Sequence, residues 1–570
     1  MTAACSAELP PRAIESNVQG VELRAKNLEQ LQDGVFDVLV VGAGINGAVS
    51  AACMAARGAR VALVDRGDFG GVTSQSSSNL AWGGIKYLES FEFGLVAKLC
   101  ASRNHLLRSF PSAVREIRFF VGHEPGFRHG RLKLFLGALL YWFIGLCKTR
   151  APRLLSRADI AREEPMVRVA LTDGGFEYSD AYLQDNDARF VWNFVRRALD
   201  EGAACANYVE LLHAEREDGV WVATLRCTLS GKAWVVRAKT LINTAGPYSD
   251  ELGARIDVRT EHTHAFSKGI HLIVPQITRS KRVLTFFADD GRLFFAIPMG
   301  ARTCIGTTDT RVSTPESEVT PEDRAFVLAN INKRLALATP LTEADIISER
   351  CGVRPLATLR SGEAVKDWMQ MSRKHVLEVN EQRASVAIFG GKLTDCVNVG
   401  EEVARAVGSL GVAYAKPFAT WYGEPALARR EAFFAEAARC KLDELTPNTS
   451  SEQLSARLWR RYGVRAGDVL AYIAADGREA NLLFEGAEHV RAELRHARAH
   501  EMVSNLDDYL RRRTKLSMVL ARDVLARAPG MRECAQALFG DHAASELAHA
   551  FGEHFTSVLP TSDRDAGAAL

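Results

Sequence analysis

The chain has 570 residues, 71 Lys+Arg against 69 Asp+Glu, a formal net charge of +2 and 47% hydrophobic residues. That length builds two or three domains, and the balanced charge excludes both a strongly basic nucleic-acid binder and a disordered chain. The 11 cysteines are scattered without a CxxC pair, which excludes a disulfide framework and a cysteine zinc site and fits a reducing compartment.

Residues 1–34 carry acids early and lack an apolar h-region, so they read as a polar extension rather than a secretory or transit signal. Next, Phe36-Asp-Val-Leu-Val-Val-Gly-Ala-Gly-Ile-Asn-Gly47 reads as strand, glycine turn and helix, and Arg60-Val-Ala-Leu-Val-Asp65 as a second strand closed by an acid. Gly42 allows the tight turn, Gly44 lets the backbone approach a pyrophosphate, and Gly47 lets helix pack on strand. The helix N-terminus, with Asn46 in its first turn, offers free N–H groups to phosphates. Asp65, followed by Arg66, is placed to accept from the hydroxyls of an unphosphorylated ribose. This is the pattern of a dinucleotide site, against the alternative of a ligand-free glycine turn. The glycines alone also allow an NAD dehydrogenase. However, the hydroxyl-rich loop Thr73-Ser-Gln-Ser-Ser-Ser-Asn79, with Thr73, Ser74, Ser77 and Ser78, and then Trp82, Gly83 and Gly84, suit a long cofactor held permanently. No second nucleotide fingerprint follows. FAD is the expected cofactor.

The uncharged run 134–147, Leu-Phe-Leu-Gly-Ala-Leu-Leu-Tyr-Trp-Phe-Ile-Gly-Leu-Cys, is flanked by Arg128, Arg131, Lys133, Lys148, Arg150 and Arg153. As a helix it covers about 21 Å, too short for a ~30 Å hydrocarbon core, so it either lies in a membrane interface or is buried as core. Further along, Thr240-Leu-Ile-Asn-Thr-Ala245-Gly246-Pro is an apolar strand stopping where close backbone approach is needed. Residues 268–310 alternate short strands in the manner of an antiparallel sheet. Val386-Ala-Ile-Phe-Gly-Gly391-Lys392-Leu393-Thr394 repeats strand, glycine pair and helix, and its helix N-terminus is suited to the flavin's pyrimidine edge. An Ala/Arg-rich helical remainder follows 416–425. In it His496 and His500 share the four-residue spacing of a metal pair, but with no third ligand nearby in sequence they read as a solvated helix face, and no metal is expected.

The expected fold class is α/β plus α: a discontinuous Rossmann-like FAD-binding domain (35–110, 180–260 and 345–412), an inserted antiparallel substrate sheet or cap (111–179 and 261–344), and a helical C-terminal domain (420–570).

The ordered motifs Val41-Gly-Ala-Gly-Ile-Asn-Gly47, Gly83-Gly84 with Tyr87-Leu-Glu89, Phe91-Glu-Phe-Gly-Leu-Val96, Gly175-Phe-Glu-Tyr-Ser-Asp180, Ala245-Gly-Pro247, Ile305-Gly-Thr-Thr-Asp309, Gly352-Val-Arg-Pro-Leu356 and Phe389-Gly-Gly-Lys-Leu-Thr394 resemble the FAD-dependent glycerol-3-phosphate dehydrogenases. Asp508-Tyr-Leu-Arg-Arg-Arg-Thr-Lys515 looks like that family's C-terminal domain. The resemblance implies non-covalent FAD, oxidation of sn-glycerol 3-phosphate to dihydroxyacetone phosphate, and transfer of electrons to a membrane quinone, or to oxygen in an oxidase branch. It further implies a polyol phosphate substrate, peripheral contact with the cytoplasmic side of the inner membrane, no nucleic-acid partner, and a chain free to form a homodimer.

The chemistry needs a base for the hydroxyl proton and fixed cations for the phosphate. Arg354, between a glycine and a proline, is the first choice for a rigid guanidinium at the substrate, and His271 for the proton acceptor. Lys86, Tyr87, Arg373 and Lys392 complete the expected substrate set, with Lys392 also available to the flavin. This chain departs from the family's pattern at Trp82, where histidine is usual, at Lys86 for arginine, at Asn79 for lysine, and at Thr394-Asp395-Cys396-Val397 for Thr-Thr-Tyr-Arg. These changes reduce positive charge and leave open a relative working on another hydroxy or amino substrate, an enzyme using oxygen, or a flavin protein without turnover.

Overall fold

The computed structural model describes residues 19–361 and 374–552. Two sheets carry the architecture. The first runs in the order Val376–Asn380, Ser385–Phe389, Ala233–Asn243, Val35–Val41, Val61–Val64 and Ala204–Ala206, with Val220–Cys227 and Val209–Glu217 added beside Ala233–Asn243. The pairings from Ser385–Phe389 through to Ala204–Ala206 are all parallel. Parallel strands covered on both faces need apolar side chains throughout, which is why Val38–Val41 and Val61–Val64 are unbroken hydrophobic runs and buried. The glycine turn opens helix Ile45–Ala56, whose small side chains from Gly47 to Ala56 are buried. Their size lets it pack between helices Asp187–Asp200 and Cys396–Ser409.

The second sheet has ten strands, ordered Thr310–Val312, His262–Pro275, Arg302–Gly306, Leu293–Met299, Val283–Phe287, Val114–His123, Gly174–Leu183 and Leu80–Ala81, with Ser348–Leu359 on His262–Pro275 and Arg153–Leu155 on Gly174–Leu183. It is antiparallel apart from the pairing of Val283–Phe287 with Val114–His123. Residues 348–359, expected in the nucleotide domain, belong to this sheet and pair with 262–273 along their whole length. The reason is chemical: Arg350, Gly352 and Arg354 recur every second residue. That half-polar alternation suits an antiparallel strand with one face on a cavity, not a buried parallel one. Ser385–Phe389, buried at every position, takes the parallel place instead.

The polar extension is structured from residue 19. Helix Gln19–Gln30 covers the outer strand Ala204–Ala206, where Asn27 Oδ1 accepts from the Cys205 N–H at 2.9 Å. Arg24 donates to the Asn207 carbonyl at 2.8 Å. An open edge, with its unpaired N–H groups, is thereby closed.

The C-terminal helices, from Leu427–Arg439 to Ala543–Phe551, build two cores of their own and join the rest through a buried polar seam. Arg189 meets Glu501 at 2.6 Å, Asp185 meets Arg461 at 2.5 Å, and Asn186 donates to the Arg511 carbonyl at 3.0 Å. Most of the quoted motif 508–515 forms this seam. Residues 134–144 of the run expected as an interfacial or buried helix lie in helix Arg131–Ile144, which is buried on one side and exposed on the other. Ala138 and Tyr141 are buried, while Leu132, Leu136, Leu140 and Phe143 form one stripe exposed by 62, 54, 44 and 60%. Among the described residues no helix is long and apolar enough to cross a membrane.

Candidate functional site

A single cavity of 1490 Å³ runs from the glycine turn to the second sheet. Pockets for compact ligands measure about 300–1,000 Å³, so this one has room for a dinucleotide and a small substrate together.

Its nucleotide end is built from the first sheet. A side chain at Gly42 (φ +102°) would sit 2.5 Å from the Thr244 carbonyl, and one at Gly47 would sit 1.9 Å from the Gly42 carbonyl. Gly47 therefore shapes the turn from behind; Gly42, Gly44 and Asn46 line the cavity itself. Asp65 accepts from the Ala43 N–H at 2.6 Å and the Gly67 N–H at 2.9 Å, so its carboxylate is fixed at the cavity wall. Burial outweighs these bonds and raises its pKa. Arg66 lies at the rim, stacked 3.7 Å from the Tyr248 ring centroid. Ala245 and Gly246 form the facing wall, beside the serine loop. Thr73, Ser74, Ser77 and Ser78 all line the cavity, held there by Ile45 N–H to Ser74 Oγ at 3.0 Å and Thr73 Oγ1 to the Val353 carbonyl at 2.9 Å. Gly352 permits this approach, since a Cβ there would lie 2.7 Å from that of Ser76.

Two helix N-termini converge on the cavity. Helix Ile45–Ala56 and helix Cys396–Ser409 both start without a side-chain cap, and Asn46 Nδ2 ties them by donating to the Gly390 carbonyl at 3.2 Å. Asn46 Oδ1 is buried without a partner. Uncapped N–H groups, a positive dipole end and an unsatisfied amide oxygen fit an anionic, hydroxylated cofactor. Gly391, Lys392, Leu393 and Thr394 line the second terminus. Gly83 and Gly84 do not line the cavity. The Gly83 N–H is committed to buried Asp180 at 3.1 Å, and a side chain there would strike the Tyr141 hydroxyl.

The other end of the cavity is lined by Trp82, Lys86, Tyr87 and Lys392 together with residues of the second sheet. Lys392 Nζ sits 4.3 Å from the Tyr87 ring centroid and 5.8 Å from that of Trp82, and Lys86 Nζ sits 5.5 Å from Tyr87. Opposite them, strands 262–275 and 348–359 pair Ser267 with Arg354 and His271 with Arg350. Arg354 reaches Thr307 Oγ1 at 3.2 Å, Ser267 Oγ at 3.4 Å and Asp309 Oδ1 at 3.4 Å. Gly269 makes its room, because a Cβ there would lie 2.1 Å from the guanidinium. His271 is 3% exposed, lines the cavity, and has no hydrogen-bond partner at either ring nitrogen. Burial first, then Arg350 and Arg354, hold its pKa well below 6.5, so the ring is neutral. Arg373 lies outside the described residues.

Two departures from the family pattern have structural explanations. Asn79 is buried and accepts from Arg350 at 3.0 Å, so a guanidinium from the second sheet stands beside it. Asp395 points away from the cavity into a cluster with Ser102 (2.7 Å), Asn398 (2.6 Å) and His375 (3.2 Å). Burial opposes charge on His375, but Asp395 and Glu402 outweigh it and raise its pKa, and Lys98 Nζ stands 3.4 Å from the added carboxylate. Sequence reasoning gave no role to Ser267, Thr307, Asp309 or Arg512, all brought to the site by pairing or domain docking. Thr307, Asp309 and Arg512 lay inside quoted motifs, whereas Ser267 did not.

Fold and cavity together define a flavin-dependent oxidoreductase. Residues 37–375 match the FAD dependent oxidoreductase family, and residues 428–545 match the C-terminal domain of alpha-glycerophosphate oxidase. A glycerol-3-phosphate dehydrogenase 2 of Mycobacterium tuberculosis is 31% identical over 509 residues, 88% of this chain and 84% of its own. An aerobic glycerol-3-phosphate dehydrogenase of Staphylococcus aureus is 28% identical over 516 residues, 87% of this chain and 90% of its own. In fold, the chain is similar to a glycerol-3-phosphate dehydrogenase of Bacillus halodurans solved with FAD, with TM-score 0.71, 22% identity, and 95% and 100% of the two chains covered. The chain belongs to the FAD-dependent glycerol-3-phosphate dehydrogenase family.

Proposed function

We propose that this enzyme oxidises sn-glycerol 3-phosphate to dihydroxyacetone phosphate and passes the electrons to a membrane quinone. The observation that carries this reading is the placing of Arg354 and partner-free His271 on one face of the second sheet, in the same cavity as the two uncapped helix ends. When bound, FAD supplies the hydride acceptor at N5. His271 takes the hydroxyl proton, its neutral imidazole being the form that accepts. Arg354, with Lys86 and Lys392, holds the phosphate or polarises the reacting oxygen by charge-assisted hydrogen bonds. Thr394, whose Oγ1 donates to the Trp82 carbonyl at 3.3 Å, fixes the wall between cofactor and substrate. Trp82 carries no titratable group, so the proton acceptor must be a different side chain; His271 meets that need.

The test is anaerobic bleaching of the yellow protein by glycerol 3-phosphate, followed by reoxidation with a short-chain quinone. Bleaching without quinone reoxidation removes the acceptor assignment. A protein inert to glycerol 3-phosphate but bleached by a different alcohol or amine removes the substrate. The variant Trp82→His with Lys86→Arg is expected to raise kcat/KM for glycerol 3-phosphate by about 5- to 30-fold, because a bidentate guanidinium contributes ~1–2 kcal/mol beyond an ammonium. A variant that gains this activity while losing a stronger native one identifies a rebuilt pocket.

We further propose that the stripe on helix Arg131–Ile144 docks the enzyme on an anionic lipid surface. Leu132, Leu136, Leu140 and Phe143 supply the apolar face, and Lys133, Lys148 and Arg150 the basic border. The protein should sediment with anionic vesicles less well at high salt. Leu140→Glu with Phe143→Glu should release a still-yellow enzyme. A double variant that sediments like the wild type sinks the assignment.

A further inference from the structure

In the C-terminal domain the fold supplies a third partner for the histidine pair that had none in sequence. Asp468, on helix Ala466–Ala475, joins His496 and His500 of helix Arg491–His500, and one ligand atom from each lies within 4.8 Å of the others. We propose that Asp468, His496 and His500 form a site for a divalent transition-metal ion of the zinc class, remote from the flavin cavity.

The donor set of two imidazoles and a carboxylate is one that zinc takes in tetrahedral geometry, with water in the remaining position. His496 supplies an observation independent of the spacing. It is 2% exposed, and its Nδ1 has no hydrogen-bond partner. A buried nitrogen left without a partner is unfavourable, and a metal bond would satisfy it. Its other nitrogen lies 3.8 Å from Glu501 Oε1, placing a carboxylate behind the ring, as it commonly stands behind ligating histidines. The ring is held on its side by Tyr462, edge-on at 4.7 Å between centroids, and His500 stands 4.9 Å away.

The basic groups around the site are held by acids: Arg465 and Arg196 share the one carboxylate of Asp200 at 2.9 and 2.8 Å, and Arg189 pairs with Glu501 at 2.6 Å. Arg465 holds Asp468 only loosely, at 3.7 Å. His500 and Asp468 are half-buried, so the site opens to water on one side and an ion has a path in. An ion there would clip helix Ala466–Ala475 to helix Arg491–His500, whose last turn leads directly to Glu501, and so would stiffen the seam to the flavin domain.

The experiment uses the purified flavoprotein, stripped with chelator, equilibrated with two equivalents of zinc, freed of excess and assayed for bound metal. Cobalt(II) serves as a spectroscopic probe of the ligands. One zinc per chain and a cobalt ligand-field spectrum are expected. His500→Gln and Asp468→Asn, both at partly exposed positions, should each weaken binding by at least ~10-fold, a loss that a second-layer partner alone can cause. Flavin content and turnover should stay at wild-type levels. Substoichiometric zinc, or unchanged binding in both variants, overturns the site, and neither result bears on the proposed oxidation.

Discussion

Arg354→Ala is expected to lower kcat/KM at least ~30- to 150-fold, a loss of ~2–3 kcal/mol in transition-state stabilisation, while the protein stays yellow. The guanidinium stands on a strand of the second sheet, not on the cofactor's glycine turns, so its removal leaves the cradle of Gly42, Gly44, Asn46 and Asp65 untouched. The wall beside it need not collapse: Ser267 Oγ still donates to Asp309, and Gly269 presents no side chain to move. Arg354→Lys should recover only part of the rate, because an ammonium keeps the charge but not the fork that reaches Thr307, Ser267 and Asp309 together. Flavin absorbance per chain and steady-state kinetics check both variants. Near-normal kinetics in the alanine variant would take Arg354 out of the site.

The parts of this architecture visible in sequence are those fixed by neighbours along the chain. Strand, turn and helix at 36–65 follow from short-range periodicity and from glycines at the turn, and Arg354 stood out because a glycine two residues before it and a proline directly after it flank it. The parts that were hidden depend on chain brought from far away. Strand 348–359, expected within the nucleotide domain's range, pairs instead with 262–273, because pairing and not composition decides its neighbour. Asp395 read as a charge beside the cofactor because nothing local shows that the helix turns it toward His375. Gly83 read as a cofactor glycine, yet its amide is held by Asp180, nearly a hundred positions on. Asp468 reaches His500 only once helices 466–475 and 491–500 pack together. Each failure is one of long-range placement, where sequence spacing carries no information.

Asp68→Ala is expected to destabilise the protein by about 3–5 kcal/mol, the usual cost of stranding one partner of a buried ion pair. Asp68 is 4% exposed and accepts from Arg513 at 2.7 and 2.8 Å, from Arg512 at 2.7 Å and from Asn207 at 2.8 Å. It follows the acid of the second strand by three residues, and Arg512 lines the cavity, so one carboxylate joins the C-terminal domain to the cofactor's wall. Without it, Arg513 keeps the Glu501 carbonyl and the Trp192 ring but loses its only carboxylate partner among the described residues. Burial alone would raise the Asp68 pKa, but Arg513 and Arg512 outweigh it and hold the group well below the usual carboxylate range. Its folded pKa therefore lies under its unfolded one, near 3.9. The sign follows: the stabilisation is complete above about pH 4 and is lost as the pH falls through the lowered value. Urea unfolding followed by flavin release should show an earlier midpoint in Asp68→Ala, and a smaller shift in Asp68→Asn, which keeps an acceptor without the charge. If the alanine variant unfolds within ~1 kcal/mol of wild type and keeps its flavin, the seam is not what holds the two domains around the cofactor.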